Sequence, residues 1–249
     1  MKSRDILPEE VRKPHFEPIV TTPETQDVDL GVRNMNPLAP FVISGGKNTE
    51  RYYFKHVNDY SKKHHFNVRP EYFGDESDFV EQFPIRIKEI LDKNADAKIY
   101  CIYDMDTIVA EEKKKHKAHH QVEFKNKHEK FLSLIPNELK TGQVVICNSM
   151  PSFEFWLLLH FEDGKGWFET YGQIAQKVAP HLKNYFTESS KGFKKLIKSE
   201  KHLKDSIWVE RLIAEDRIQQ AIERAKACQE QIDQGAKDQS YSNVYKAFE

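Results

Sequence analysis

Asp104 and Asp106, separated by one residue, close the apolar run IYCIYDMDT that spans Ile99 to Thr107. In an extended segment, side chains two residues apart point to the same side. Two carboxylates so placed repel each other unless a cation lies between them. Hard cations such as Mg²⁺ take oxygen donors, commonly one or two carboxylates completed by substrate phosphate. A two-metal arrangement stabilises both the attacking and the leaving oxygen of a phosphodiester. The plain alternative is a loop pair with no ligand, since so short a motif recurs by chance. Its place directly after an apolar run favours the metal.

Two further segments carry chemistry. In SGGKNTERYYF, Ser44 to Phe54, the glycines allow close backbone approach, and Glu50 falls in the first turn of an expected helix, where anions are favoured. Thr49 and Glu50 also suit a plain strand-to-helix turn, one near the cap and the other complementing the dipole. In NSMPSFEFWLLLHFED, Asn148 to Asp163, Ser152 and Glu154 open a very apolar helix. A carboxylate there is costly to bury unless it is paired or metal-bound. A capping role is the alternative for Glu154, and Phe155, Trp156, Leu158 and Leu159 read as core.

The elements that must position these groups alternate. PFVIS (residues 40–44), NVRPEYF (67–73), KIYCIY (98–103) and QVVIC (143–147) read as strands, with Pro70 pushing the second toward an edge. Helices are expected from Thr49, over 77–93, over 110–135 and from near Ser152. This order predicts an α/β fold with a mostly parallel sheet flanked by helices. In such sheets, sites lie beyond the carboxyl ends of the strands. Gly45-Gly46, Asp104 and a turn at Asn148-Ser149 all fall there. After residue 165 the pattern becomes helical, with one amphipathic helix expected over 205–234. The division expected is an arm over 1–38, a core over 39–165 and a C-terminal helical region over 166–249 packed on it.

The 249 residues are 39% hydrophobic and 31% charged with a net charge of -1, so bulk charge identifies no polyanion partner. Local charge differs. Residues 110–130 hold seven lysines (113, 114, 115, 117, 125, 127, 130) against four glutamates (111, 112, 123, 129). Residues 183–204 are similarly lysine-rich. Such stretches suit a phosphate backbone, or are simply solvated helix faces. His116 and His120 stand four apart but lack the further ligand that zinc needs. Cys101, Cys147 and Cys228 form no CxxC pair and read as buried free thiols in a reducing compartment. The charged start MKSRDILPEE does not resemble a signal peptide, and FWLLLHF is too short to span a bilayer. A soluble cytoplasmic protein with no membrane contact is expected.

Taken in order, FVISGGKNTERYYF, YDMDT, SMPSFEFWLLLHF and the terminal SNVYKAFE resemble the RloB-like family of Toprim proteins from bacterial anti-phage systems. The resemblance runs from about residue 40 to the end. It implies a Toprim-like sheet with a C-terminal helical elaboration. It also implies metal-dependent phosphodiester cleavage of RNA or DNA in abortive infection, with Mg²⁺ or Mn²⁺ as cofactor. Glu50, Asp104, Asp106 and Glu154 are its implied catalytic residues, the first three also as metal ligands. Lys47, Lys113, Lys114, Lys191, Lys194 and Lys195 are candidate nucleic-acid contacts. An ATPase subunit is the implied partner, and homo-oligomerisation stays open. One position departs: the family's leading glutamate falls on Gly45, which neither transfers protons nor binds metal. A second reading follows, a weakened or inactive subunit that binds nucleic acid or a partner. Nothing resembles a nucleophilic-tyrosine domain or a zinc-binding primase module.

Overall fold

The computed structural model describes residues 38–46, 48–69, 79–106, 108–109, 127–183, 185 and 199–249. The expected arm, part of the second strand segment and most of the 110–135 helix lie outside them. β1 (Phe41–Ser44), α1 (Thr49–Tyr60), β2 (Asn67–Arg69), α2 (Phe79–Lys93) and β3 (Ile99–Asp104) alternate as expected. After β3 come α3 (Lys127–Leu134), the short α4 (Pro136–Lys140), β4 (Val144–Met150) and α5 (Glu154–Leu159). The rest comprises α6 (Tyr171–Leu182), α7 (Glu200–Leu203), α8 (Ile207–Ala214), α9 (Arg217–Asp233), β5 (Tyr241–Ser242) and a 3₁₀ turn over Asn243–Ala247.

The sheet order is β2-β1-β3-β4-β5. The first four strands are parallel and β5 is antiparallel to β4. The α/β class holds, with a mostly parallel sheet. From β1 the chain moves outward to β2, then returns past β1 to β3. The order therefore reverses between β1 and β3, and the crevice at their carboxyl ends is the ligand position of such sheets.

Strand alternation sorts the side chains onto two faces. Val42, Tyr100, Ile102 and Cys147 pack with α1, α5, α6, α8 and α9 in one cluster. Phe41, Ile43, Ile99, Cys101, Tyr103 and Val144 pack on the other face with Phe83, Ile87 and Ile90 of α2 and Phe131 of α3. The spacing 83, 87, 90 is one stripe of a helix. All three cysteines are free and buried. No helix among the described residues is long and apolar enough to cross a membrane.

Three local expectations are corrected. Asn148 and Ser149 do not form a turn; they lie inside β4, paired with Tyr103 and Asp104 of β3, and β5 extends the pairing over Ser149 and Met150. The 205–234 helix is two helices, broken where Asp216 adopts a left-handed φ of 54°. Aspartate tolerates that conformation better than most residues. The region after 165 is not purely helical, since it supplies the antiparallel strand.

A buried polar pair ties α1 to α5. His160 Nδ1 donates to the Trp156 carbonyl at 2.9 Å, so its Nε2 accepts from the Tyr53 hydroxyl at 3.0 Å. Burial disfavours the imidazolium and pushes the His160 pKa from 6.5 down to about 3. The unfolded chain therefore takes up a proton below pH 6.5 that the native state refuses. The stabilising contribution is complete above pH 6.5 and shrinks as pH falls toward 3. Denaturant titrations from pH 7 to 5 should show stability falling with a limiting slope of about 1.4 kcal/mol per pH unit, and His160→Gln should flatten that slope. An unchanged slope in the variant would assign the proton uptake elsewhere.

Candidate active site

The ladder between β1 and β3 continues one step beyond β1, through the Gly45 N–H to the Ile102 carbonyl at 2.8 Å. The chain then turns, with Ser44 Oγ donating to the Gly46 carbonyl at 3.0 Å. α1 opens at Thr49, and no side chain caps it from Asn48. Glu50 lies in the first turn and is only 4% exposed. A β-carbon at Gly46 would overlap the Glu50 carboxylate. The glycine backbone is thus the floor on which that carboxylate rests, and this is the close approach that requires glycine.

Asp104 ends β3 half-buried, and its Oδ1 accepts the Phe153 N–H at 2.8 Å. The next residues are clamped to the end of β4. The Met105 N–H reaches the Ser149 and Pro151 carbonyls at 2.9 and 3.1 Å, and the Asp106 N–H reaches Pro151 at 3.0 Å. The Val109 N–H bonds back to the Met105 carbonyl, so the backbone turns helical at Asp106. The extended geometry expected for both aspartates therefore holds only to Asp104. The carboxyl end of β4 fixes where Asp106 starts.

Glu154 is the first residue of α5 and fully buried. Ser152 Oγ donates to its Oε2 at 2.7 Å, so the serine and the glutamate of SFEF form a unit. Position 154 is thereby one residue from the amide that holds Asp104. Glu50 follows β1, Asp104 and Asp106 follow β3, and Glu154 follows β4: the fold delivers all four to one edge of the sheet.

Among the described residues, no three His, Cys, Asp or Glu side chains are grouped closely enough to cage a metal ion. The arrangement differs from a closed structural site. The donor set is nonetheless all oxygen, and the two aspartates are half-buried rather than sealed. That suits a hard cation held by one or two carboxylates and completed by water and phosphate.

Sequence reasoning missed several partners. The Phe153 amide on Asp104 joins residues 49 apart in sequence. His128, which carried no signal, takes the Tyr103 hydroxyl at its Nδ1 at 2.8 Å. Ser149 and Ser242 hydrogen-bond through their hydroxyls at 2.8 Å, and Asn243 Nδ2 donates to Asn148 Oδ1 at 2.9 Å, so the chain end braces β4. The terminal SNVY phrase was the available signal. All six lysines expected to contact nucleic acid (47, 113, 114, 191, 194 and 195), together with His116 and His120, lie outside the described residues.

Gly46→Ala offers a selective test. The atoms a new β-carbon meets are the far end of a flexible side chain, so the fold should survive while the Glu50 carboxylate is displaced. A misplaced reactive group costs up to about 10²-fold in rate. Unfolding temperature should change little and, if this site cuts phosphodiesters, cleavage should fall as far as in Glu50→Gln. Full activity in Gly46→Ala would remove Glu50 from the site.

A family model described as RloB-like protein matches residues 41–249. No curated protein and no solved structure matches the chain.

Proposed function

The chain belongs to the RloB-like family, and on that premise we propose that it is a divalent-metal-dependent nuclease with a Toprim-like centre, acting on RNA or DNA in anti-phage defence. One observation carries the reading most. The Asp104 carboxylate is held by the Phe153 amide at the point where the strand order reverses, with Glu50 opening the helix that follows the neighbouring strand.

Asp104 and Asp106 would hold Mg²⁺ or Mn²⁺. When bound, the ion supplies charge neutralisation of the phosphodiester and acidifies water. The remaining work belongs to the chain. The Phe153 amide fixes one oxygen of the Asp104 carboxylate. The Pro151 and Ser149 carbonyls fix the Met105–Asp106 backbone, which ties the segment carrying Asp106 to the end of β4. Glu50, resting on Gly46, would accept a proton from an attacking water. Glu154, bonded to Ser152, sets the start of α5 and with it the amide on Asp104. The lysine-rich stretches would hold the phosphate backbone, and an ATPase subunit is the partner this reading carries.

Gly45 favours a second reading, a subunit that binds nucleic acid or a partner without cutting. The structure allows a direct comparison, because a β-carbon at Gly45 would meet Tyr103 Cβ at an ordinary 3.5 Å. Gly45→Glu should therefore fold. Wild type and variant are assayed with Mg²⁺ or Mn²⁺ on tRNA, single-stranded DNA and duplex DNA. The nuclease reading expects wild type to cut, and Gly45→Glu to cut faster by up to about 10²- to 10⁴-fold, the usual worth of an acid/base group. An inert wild type with an active Gly45→Glu would install the binding-subunit reading. Inertness of both would remove the nuclease.

A further inference from the structure

α1 runs back from the carboxylates toward the opposite edge of the sheet, and the turn at its end faces the junction of α8 and α9 across a cavity of about 440 Å³. This is within the range of small-molecule sites, about 300–1,000 Å³. Its two walls differ in chemistry. On one side are Tyr60, Lys62 and Lys63; on the other are Ile213, Asp216 and Ile218.

Both lysines are exposed, and neither ammonium has an ion-pair partner among the described residues. His64 also lines the cavity, and burial, then the charges of Lys63 and His65, lower its pKa. The turn thus presents two ammonium groups beside an imidazole whose charged form is disfavoured. Tyr60 keeps 39% of its surface exposed, and its hydroxyl meets Ser206 Oγ at 2.8 Å, which holds the ring in place. Ile218 and Ile213 add an apolar patch. Asp216, held left-handed at the start of α9, brings a carboxylate with no ion pair among the described residues.

A free phosphate would use the lysines and leave the aromatic and apolar wall idle. An apolar ligand would make no use of the two ammonium groups or of the Asp216 carboxylate. A molecule with an anionic end, a flat ring and hydroxyl or amino donors matches all three surfaces. We propose that this cavity binds a nucleoside monophosphate, its phosphate against Lys62 and Lys63, its base against Tyr60 and Ile218, and a ribose hydroxyl or base amine donating to Asp216. The site is separate from the carboxylate edge and does not depend on the nuclease reading.

Calorimetry on the full chain without divalent metal tests this, with AMP, adenosine, inorganic phosphate and a thymidine octanucleotide as probes. AMP should bind more tightly than adenosine or phosphate. The Lys62→Ala/Lys63→Ala variant, which alters only exposed side chains, should weaken AMP by about tenfold or more, the usual worth of charge-assisted hydrogen bonds. Asp104→Asn should leave AMP binding unchanged. The proposal is overturned if AMP gives no heat at millimolar concentration, if phosphate binds as tightly as AMP, or if the double variant binds AMP normally. It is also overturned if the octanucleotide binds through these lysines and AMP does not, which would make the turn a strand contact.

Discussion

On the nuclease reading, Asp104→Asn is expected to lower cleavage beyond the about 10- to 100-fold that loss of a partner outside the ligand shell costs, while leaving the protein folded. Asparagine is the informative substitution because it separates two roles. Its amide oxygen still accepts the Phe153 N–H that Asp104 Oδ1 takes at 2.8 Å. What it lacks is the negative charge that a divalent cation needs. Asp104→Ala removes both and confounds them, since the buried amide at the start of α5 would lose its acceptor. If Asp104 only braces that helix, Asp104→Asn cleaves like wild type and Asp104→Ala unfolds more easily. If it holds metal, Asp104→Asn is inert and melts near the wild-type temperature. A single-turnover assay beside a thermal melt distinguishes the two.

Phe248→Ala is expected to destabilise the protein by about 3–5 kcal/mol, the range for a buried phenylalanine. That is a large share of the roughly 5–15 kcal/mol by which domains are stable. The residue is second from the end of the chain, where fraying is the usual expectation. Here it is 2% exposed. Its ring stacks on Phe54 of α1 and Trp156 of α5 at 5.7 and 5.6 Å, and meets Phe66 edge-on at 5.5 Å. The last residues thus join two helices that begin at the carboxylate edge. The Lys226–Glu249 pair beside it is half-exposed and contributes little. Urea denaturation should show the midpoint falling sharply. A change below about 0.5 kcal/mol, typical of surface positions, would mean that the terminus is not docked in solution.

The parts of the fold written in local pattern were legible. FVIS and IYCIYD are apolar runs of strand length ending in turn or acidic residues, and α1 and α2 carry helical stripes. The errors share one cause, contacts distant in sequence. Asn148-Ser149 has the composition of a turn, yet both stay in the strand, paired with Tyr103 and Asp104 of β3 and, at Ser149, with Ser242 on the other side. β5 is two residues long, too short for any periodic signal. The break at Asp216 uses neither glycine nor proline, and the buried stripe shifts across it, from Trp208, Val209 and Leu212 in α8 to Ile218, Ala221, Ile222, Ala225 and Cys228 in α9. The candidate site entered as residue types: the acidic pair from its place after an apolar run, Glu50 and Glu154 from the resemblance to the family's motifs. What surrounds them was not legible. The Phe153 amide on Asp104, the Gly46 floor under Glu50 and the Ser149 and Pro151 carbonyls that clamp Met105 and Asp106 arise only when three strand ends meet. The turn to helix at Asp106 also overrode the extended geometry that spacing alone suggested.

The central claim is that Asp104 and Asp106 together bind a divalent ion at the carboxyl end of β3. Calorimetric titration of Mn²⁺ into the full chain and into Asp104→Asn and Asp106→Asn tests it most directly. The account predicts a binding isotherm for wild type that is lost or strongly weakened in both variants. Equal Mn²⁺ binding in all three proteins, or none in wild type, would contradict it.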